Sequence, residues 1–244
     1  MGLSVLEMLL DGKSEMSKIV EYTTFYNQTR NKLAYHSGVL DGLRLSEGQV
    51  GFIGESRGGV ELYTNEPITL DDIKETNNHF DCFDYMLEHA TEPVTEEMIR
   101  QYHRIMKKDT YSSSREKPGD FKIRKNMVGQ IMTTEPKKVS EELTKLLEEY
   151  NSKTDIYVED IFFFHCDFLK ISPFPDCNGR IARMIMFKEC LWLGISPVII
   201  EDIEKSYYYR ALKEGRKDID MSFGLCLRAQ KRFDTMVALY QKKK

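Results

Sequence analysis

The segment from Ile171 to Arg183 constrains the fold of this chain more than any other part of its sequence. The apolar residues before it recur at helical spacing, but Pro173 and Pro175 cannot continue a helix, because proline lacks a backbone N–H group. The apolar residues after it return to helical spacing and lead to Gly194, a residue type that commonly ends helices. The segment therefore predicts two helices joined by a tight turn.

Helical spacing of apolar residues extends over most of the chain and predicts an all-α fold. Three of these stretches follow residues that favour helix N-termini, namely Thr69, Thr95 and Ser140. The pattern breaks at residues 48–67 and 112–136, where glycine, proline and polar residues are frequent.

Within the second break, residues 121–124 and 127–131 alternate imperfectly between apolar and polar side chains. This pattern predicts a short exposed β-hairpin.

Composition narrows the class of protein. The 244 residues, 41% of them apolar, are enough for one main domain with a smaller appended lobe. The net charge of −4 gives no general attraction to nucleic acid, and the apolar runs are too short to span a membrane. The N-terminal apolar run lacks the basic leading segment and the small-residue cleavage site of an export signal. The five cysteines lack the spacing of a zinc site and are odd in number, so we expect a cytoplasmic protein without disulfides: Cys82, Cys166, Cys177, Cys190 and Cys226.

The turn between the two helices has the chemistry of an anion site. The N-terminus of the second helix offers unpaired amides and the positive end of the helix dipole. Arg180 and Arg183, three residues apart, project from one side of its first turn, and the preceding Asp176 is suited to a magnesium ion. The alternative from the residues alone is an ordinary Asn-Gly turn followed by a solvated helix face.

The same residues resemble the signature of the Fic family. The stretch Ser172-Pro173-Phe174-Pro175-Asp176-Cys177-Asn178-Gly179-Arg180-Ile181-Ala182-Arg183 is similar to His-Pro-Phe-x-Asp/Glu-Gly-Asn-Gly-Arg-x-x-Arg. The resemblance implies a Fic-type helical bundle with a short β-hairpin flap and an N-terminal inhibitory helix. It divides the chain into residues 1–68 with an inhibitory helix at about 17–42, a Fic core at 69–228, and a helix end with a basic tail at 229–244.

In Fic proteins this loop binds ATP, and AMP is transferred to a hydroxyl of a target protein. The resemblance implies that Asp176 holds Mg²⁺. It implies that Asn178 and the backbone at Cys177 and Gly179 contact the α-phosphate, and that Arg180 and Arg183 face the β- and γ-phosphates. It also implies that Tyr208 or Tyr209 flanks the adenine, although these tyrosines fit packing roles equally well. The implied target presents a Ser, Thr or Tyr hydroxyl to the flap, and the chain itself is one candidate target. A homo-oligomer of the chain is a candidate assembly.

Two residues depart from the family pattern. Ser172 stands at the catalytic position, where the family has a histidine that accepts the proton of the attacking hydroxyl, and a serine cannot do this near neutral pH. His165 lies two helical turns earlier, out of direct reach, and is interpreted as structural. Cys177 stands in place of a glycine, which restricts the backbone there and predicts altered nucleotide binding; a redox role for its thiol is an alternative.

The stretch Ser37 to Gly42 resembles the inhibitory motif Ser/Thr-x-x-x-Glu-Gly/Asn of one Fic class. Ser37 and Asp41 share a helix face. In the family, a glutamate at the position of Asp41 pairs with the second motif arginine, here Arg183. Asp41 is one methylene shorter, so the resemblance implies a looser inhibition; an exposed helix end capped by Gly42 is the alternative.

Three functions follow. The first is an adenylyltransferase weakened by Ser172, and the second is a pseudoenzyme that binds ATP without transfer. The third is an interaction module with a relic loop. The retained Asp176, Arg180 and Arg183 argue against the third, because a scaffold has no need of a phosphate cradle.

Overall fold

The computed structural model describes residues 4–16, 24–56, 68–111, 117–128 and 131–242. The helices in these ranges are α1 (Val5–Met16), α2 (Phe25–Leu40), α3 (Glu47–Ser56), α4 (Leu70–Glu88), α5 (Glu96–Met106), α6 (Val139–Asn151), α7 (Val158–Ile171), α8 (Asn178–Trp192), α9 (Lys205–Glu214) and α10 (Ile219–Gln241). Short 3-10 turns occupy Pro136–Lys138, Asp202–Glu204 and Gly215–Lys217. The predicted all-α fold is confirmed.

Local capping residues begin two of the predicted helices where the sequence indicated. Thr69 forms a reciprocal capping box with Asp72 at the start of α4, and the Thr95 side chain accepts a hydrogen bond from the amide of Met98 in α5. The prediction for Ser140 was wrong, because α6 begins one residue earlier and is preceded by a 3-10 turn.

Helix α8 is the centre of the bundle. It contacts α7, α4, α2 and α5, and nearly all of its side chains are buried, including the charged Lys188 and Glu189, which pair with each other at 2.8 Å. The first turn of α8 is part of this buried region, since Asn178, Arg180 and Ile181 are all buried.

Helices α2 and α10 pack onto this bundle. Phe25 and Tyr26 of α2 belong to the same apolar core as Phe187 of α8 and Phe233 of α10. The expected boundary at residue 228 falls inside the continuous helix α10. Of the expected inhibitory helix, residues 17–23 lie outside the described part of the chain, as do residues 243–244 of the basic tail. No helix among the described residues has both the length and the apolar character needed to cross a bilayer.

The predicted flap is present but shifted along the chain. Two short strands, β1 (Met127–Val128) and β2 (Ile131–Met132), pair antiparallel with Met127 opposite Met132. Residues 121–124 form no strand, because the backbone amide and the ammonium of Lys122 are engaged elsewhere, with the carbonyls of Pro173 and Ile171. The alternation of side chains along the sequence does not reveal these contacts of Lys122 with a distant loop.

Asn78 joins α4 to the end of α5. Its buried side-chain amide donates hydrogen bonds to the carbonyl oxygens of Met106 and Lys108 at 3.2 and 2.7 Å. We expect Asn78→Ala to lower the free energy of unfolding by roughly 1–3 kcal/mol, because two carbonyls would lose their donor. Urea unfolding measures this loss.

The neighbouring Asn77→Ala is the matched control, since its side chain donates only to Ile73 within the same helix and is partly exposed. Equal losses for the two variants would contradict the role given to Asn78.

Candidate functional site

The loop between α7 and α8 is held by its own side chains. Ser172 ends α7 and Cys177 precedes α8, both with left-handed backbones at φ 44° and 65°. Between them Phe174 is fully buried and stacks on His103, with ring centroids 4.1 Å apart. The side chain of Asn178 accepts from the Phe174 amide at 3.0 Å and donates to its carbonyl at 2.8 Å. The loop is therefore shaped before any ligand arrives.

The flap is tied to this loop by Lys122 and Asn126. The Lys122 ammonium donates to Asn126, Thr133 and the Ile171 carbonyl, and the Asn126 amide donates to the Phe174 carbonyl at 3.0 Å. Burial lowers the pKa of Lys122 to about 8. These bonds place the flap beside the start of α8.

Arg183 projects from α8 into the end of α2. Its guanidinium donates to the hydroxyl and the carbonyl of Ser37 at 2.9 and 2.8 Å, and to Oδ1 of Asp41 at 2.8 Å. The shorter side chain of Asp41 therefore does reach Arg183. Its other oxygen lies 3.4 Å from Nε of Arg180, so it bridges the two arginines instead of forming a bidentate pair with one.

Arg180 belongs to a wider set of charges. Its Nη1 is 2.5 Å from Glu75 of α4, and Glu75 also accepts from the ammonium of Lys107 at 2.7 Å. Lys107 in turn lies 2.9 Å from Asp176, which is 3.8 Å from Arg180. We call the three cations and three carboxylates the six-charge network: Asp41, Glu75, Lys107, Asp176, Arg180 and Arg183.

Opposite charges alternate throughout the six-charge network, so its formal charge is zero. Burial alone would raise the pKa of Asp176, but the charges of Lys107 and Arg180 outweigh burial and lower it. Burial would likewise lower the pKa of Lys107, yet Asp176 and Glu75 raise it. Asp176 and Lys107 therefore stabilise each other's charged forms.

Asp41 covers the first turn of α8. A Cβ atom added at Gly179 would lie 2.7 Å from Oδ1 of Asp41 and 3.0 Å from Nη1 of Arg183, so only glycine permits this approach. The carboxylate thus lies against the helix end that the sequence assigned to phosphate.

A cavity of ≈ 390 Å³ opens in front of this helix end. Its lining includes Asp41, Asp176 and Gly179, together with Asn126 of the flap and Tyr209 of α9. Its volume lies within the range of small-molecule and cofactor sites. A smaller cavity of ≈ 120 Å³ lies on the far side of Asp41, beside His79 of α4.

Three predicted site residues make contacts that the sequence did not indicate. Tyr208 is fully buried at the wall of the cavity, where its hydroxyl pairs with His165 at 2.8 Å and accepts from Arg183 at 3.4 Å. Tyr209 is 41% exposed, and its hydroxyl donates to the Leu40 carbonyl. The Ser172 hydroxyl is buried and donates to the Leu169 carbonyl at 2.6 Å.

The Cys177 side chain points away from the anion site. It is buried with its sulfur 3.5 Å from that of Met106, and burial raises its thiol pKa to about 12. The redox alternative is therefore contradicted, and only the backbone of Cys177 faces the loop.

The donor set around Asp176 does not fit a magnesium ion in the ligand-free chain. Asp176 is already opposed by two cations, Lys107 and Arg180. Within the described ranges, no group of three or more His, Cys, Asp or Glu side chains is arranged to hold a metal.

Glu75 and Lys107 were missed by the sequence analysis. Each is one charged residue on an amphipathic helix, a position where solvated charges are the ordinary expectation. Only the approach of α4 and the end of α5 to α8 reveals their contacts.

The fold and the site define the class: a helical bundle with two buried arginines after a loop-to-helix junction, a flap, and a carboxylate from an N-terminal helix. Residues 93–190 match the model of the Fic/DOC family. This range includes the flap, the loop and both arginines, but not Ser37, Asp41, Glu75 or the tyrosines of α9.

Relatives and a solved structure agree with this assignment. The chain is 25% identical over 185 residues to the protein adenylyltransferase fic-1 of Caenorhabditis elegans, a match that covers 73% of this chain and 35% of that protein. It is 23% identical over 218 residues to the protein of the same name from Caenorhabditis briggsae, covering 85% and 41%. The chain thus spans well under half the length of these relatives.

A crystal structure of a Fic domain containing signaling protein from Bacteroides thetaiotaomicron superposes with a TM-score of 0.73, at 21% identity, over 96% of this chain and 95% of that one. This similarity shows that nearly all of the chain adopts a fold found in a Fic domain protein.

The buried histidines make folding sensitive to acid. Burial is the main cause that lowers the pKa of His79, His103 and His165 to about 3, with nearby cations adding to it. As the pH falls below about 6.5, these histidines bind protons in the unfolded chain but stay neutral in the folded chain. We expect the free energy of unfolding to fall by roughly 1.4 kcal/mol per pH unit for each such histidine.

Urea unfolding at a series of pH values between neutral and about 4.5 measures the slope. His165→Gln should reduce this slope by the contribution of one histidine, roughly 1.4 kcal/mol per pH unit. This change in slope is expected whatever the substitution does to the free energy of unfolding at neutral pH. A slope of zero in the parent would show that these side chains take up protons in the folded state.

Proposed function

We propose that this chain is a Fic-type domain that binds ATP and transfers AMP weakly to a protein hydroxyl, held in check by its own helix α2. The observation that carries the proposal is the pair Arg180 and Arg183, buried near the N-terminus of α8. Arg183 lines the cavity of ≈ 390 Å³ and Arg180 the cavity of ≈ 120 Å³, and Asp41 lines both. Arginines at a helix N-terminus bind phosphate through both charge and oriented donors. The family match and the adenylyltransferase relatives support this choice of ligand and reaction.

In the proposed complex the triphosphate takes the place of Asp41. The backbone at Cys177 and Gly179 faces the α-phosphate, while Arg180 and Arg183 exchange the Asp41 carboxylate for phosphate oxygens. Asn178 contributes by shaping the loop, since its side chain is already bonded to Phe174. Tyr209 is the residue available to flank the base.

The flap is the proposed docking edge for the target segment. Met127 and Met132 are each more than half exposed, and the two strands are paired only with each other among the described residues. An extended peptide can add to such an edge by backbone hydrogen bonds, which would bring a Ser, Thr or Tyr hydroxyl toward Ser172. The target, including another copy of this chain, is defined here by that chemistry alone.

Weak transfer follows from Ser172. Its hydroxyl is used as a donor to Leu169 and no histidine is among the residues that line the cavity, so the described site offers no imidazole base. This observation favours a second candidate, a domain that binds ATP and responds by conformation without transfer. The two candidates share the binding step and differ in the chemical step.

The binding step is tested by calorimetry with ATP and magnesium on the parent and on Asp41→Ala. We expect Asp41→Ala to bind about 10- to 100-fold more tightly, because phosphate no longer competes with a carboxylate for the two arginines. Asp220→Ala, which removes an exposed carboxylate of α10, should bind like the parent.

Arg180→Ala in the Asp41→Ala background should abolish the heat of binding. If the folded Asp41→Ala chain shows no heat with ATP, nucleotide binding is wrong and only an interaction role survives.

The chemical step is tested by labelling with ATP radiolabelled at the α-phosphate. We expect at most weak self-modification of the parent and an increase of about 10²–10⁴ in Ser172→His, the usual effect of a positioned general base. The substitution is compatible with the backbone, because histidine is among the residues found at positive φ.

Ser172→Ala is the control and should label like the parent. If Ser172→His binds ATP but labels no faster, the missing base is not what limits transfer, and the non-transferring candidate is preferred.

A further inference from the structure

Lys107 occupies an unusual place for a lysine. It follows the last residue of α5, and its side chain is only 4% exposed. Its ammonium lies 2.7 Å from Glu75 and 2.9 Å from Asp176, so it links the loop to α4. The bonds from Asn78 to the carbonyls on either side of Lys107 fix the backbone from which this side chain extends.

This arrangement places a resident cation where a divalent ion would be expected. A magnesium ion binds carboxylate oxygens at about 2.1 Å. An ion bound to Oδ2 of Asp176 would therefore lie within about 5 Å of the Lys107 ammonium and within about 6 Å of the Arg180 guanidinium. Both would repel it, and neither is free to leave, since each is buried and also paired with Glu75.

The charge balance leads to the same conclusion. The six-charge network is neutral while Asp41 is in place. When Asp41 is displaced, three cations face two carboxylates beside the positive end of α8, which leaves net positive charge for a polyphosphate. The protein thus supplies the charge that a bound divalent ion would otherwise bring.

We propose that Lys107 takes the place of a divalent cation at Asp176, so that this site binds nucleotide without any requirement for magnesium. The inference rests on the proposed nucleotide function and deepens it. Lys107 acts through Asp176 as a positioning residue: its ammonium neutralises the only carboxylate that the loop contributes, and it fixes that carboxylate between two cations. Positive charge toward the phosphates comes from Arg180 and Arg183.

The first test needs no substitution in the loop. ATP binding to the parent and to Asp41→Ala is measured by calorimetry in magnesium and again in EDTA. We expect dissociation constants that agree within about threefold in the two media. A loss of more than about tenfold in EDTA would overturn the inference and leave the proposed function standing. An absence of binding in both media would overturn both.

The second test examines the metal alone, without nucleotide. Binding of Mn²⁺ to the ligand-free chain is followed by electron paramagnetic resonance of the free ion. We expect no bound Mn²⁺ in the parent at concentrations where simple carboxylate sites begin to fill. A bound ion that disappears in Asp176→Asn would overturn the inference independently of any result with ATP.

Substitution of Lys107 gives the third test. Lys107→Met should make ATP binding depend on magnesium by about tenfold or more, because Asp176 then lacks its ammonium partner. Lys107→Arg keeps a cation and should remain independent of magnesium. Lys108→Met is the matched control, since this neighbouring lysine is exposed. Magnesium dependence that is the same in all four proteins, the parent included, would overturn the role of Lys107.

Discussion

Two guanidinium groups buried on the central helix are the constraint on which the rest of this structure depends. Arg180 and Arg183 are 8% and 3% exposed, and they extend from the first turn of a helix enclosed by α2, α4, α5 and α7. A buried charge without a partner costs several kcal/mol, and removal of one member of a buried pair commonly costs about 3–5 kcal/mol. The surrounding helices must therefore bring carboxylates to this point, as α2 does with Asp41 and α4 with Glu75. Packing and charge compensation select the same arrangement of helices.

The loop before these arginines tolerates departures from the family pattern for physical reasons. Ser172 and Cys177 both adopt left-handed backbones, a conformation that costs a non-glycine residue on the order of 1–3 kcal/mol. The structure offsets this cost by burying Phe174 and the Cys177 side chain and by bonding Asn178 to both backbone groups of Phe174. The shape of the loop is thus separable from the side chain at position 172: the turn before the two arginines forms without an imidazole there.

How far the sequence could predict the molecule depends on the distance over which each signal acts. The turn at Pro173, the caps at Thr69 and Thr95 and the shared face of Ser37 and Asp41 are local, and they were predicted correctly. The contacts of the Tyr208 hydroxyl with His165 and Arg183 were not predicted, because they depend on how α9 meets α7 and α8. The flap was misplaced along the chain for the same reason, since Lys122 is committed to the loop. Glu75 and Lys107 carry no sequence signal that separates them from solvated charges, so only tertiary structure identifies them.

In the proposed function, the carboxylate of Asp41 both stabilises the fold and restrains nucleotide binding, and the two roles share the same contacts. Asp41 compensates the buried charge of Arg183 in the ligand-free chain, and its second oxygen approaches Arg180. A triphosphate would displace Asp41 only if its oxygens compensated the charges of the two arginines at least as well. The free energy of nucleotide binding would therefore have to offset the stabilisation that the Asp41 contacts give to α2. The end of α2 is further held by Tyr209 and Lys205 of α9, which donate to the Leu40 and Val39 carbonyls. Displacement of Asp41 would therefore involve the contacts of α9 with the end of α2. Because Tyr209 both lines the cavity and donates to the Leu40 carbonyl, a base that contacts Tyr209 in the proposed complex would meet a residue that holds the end of α2.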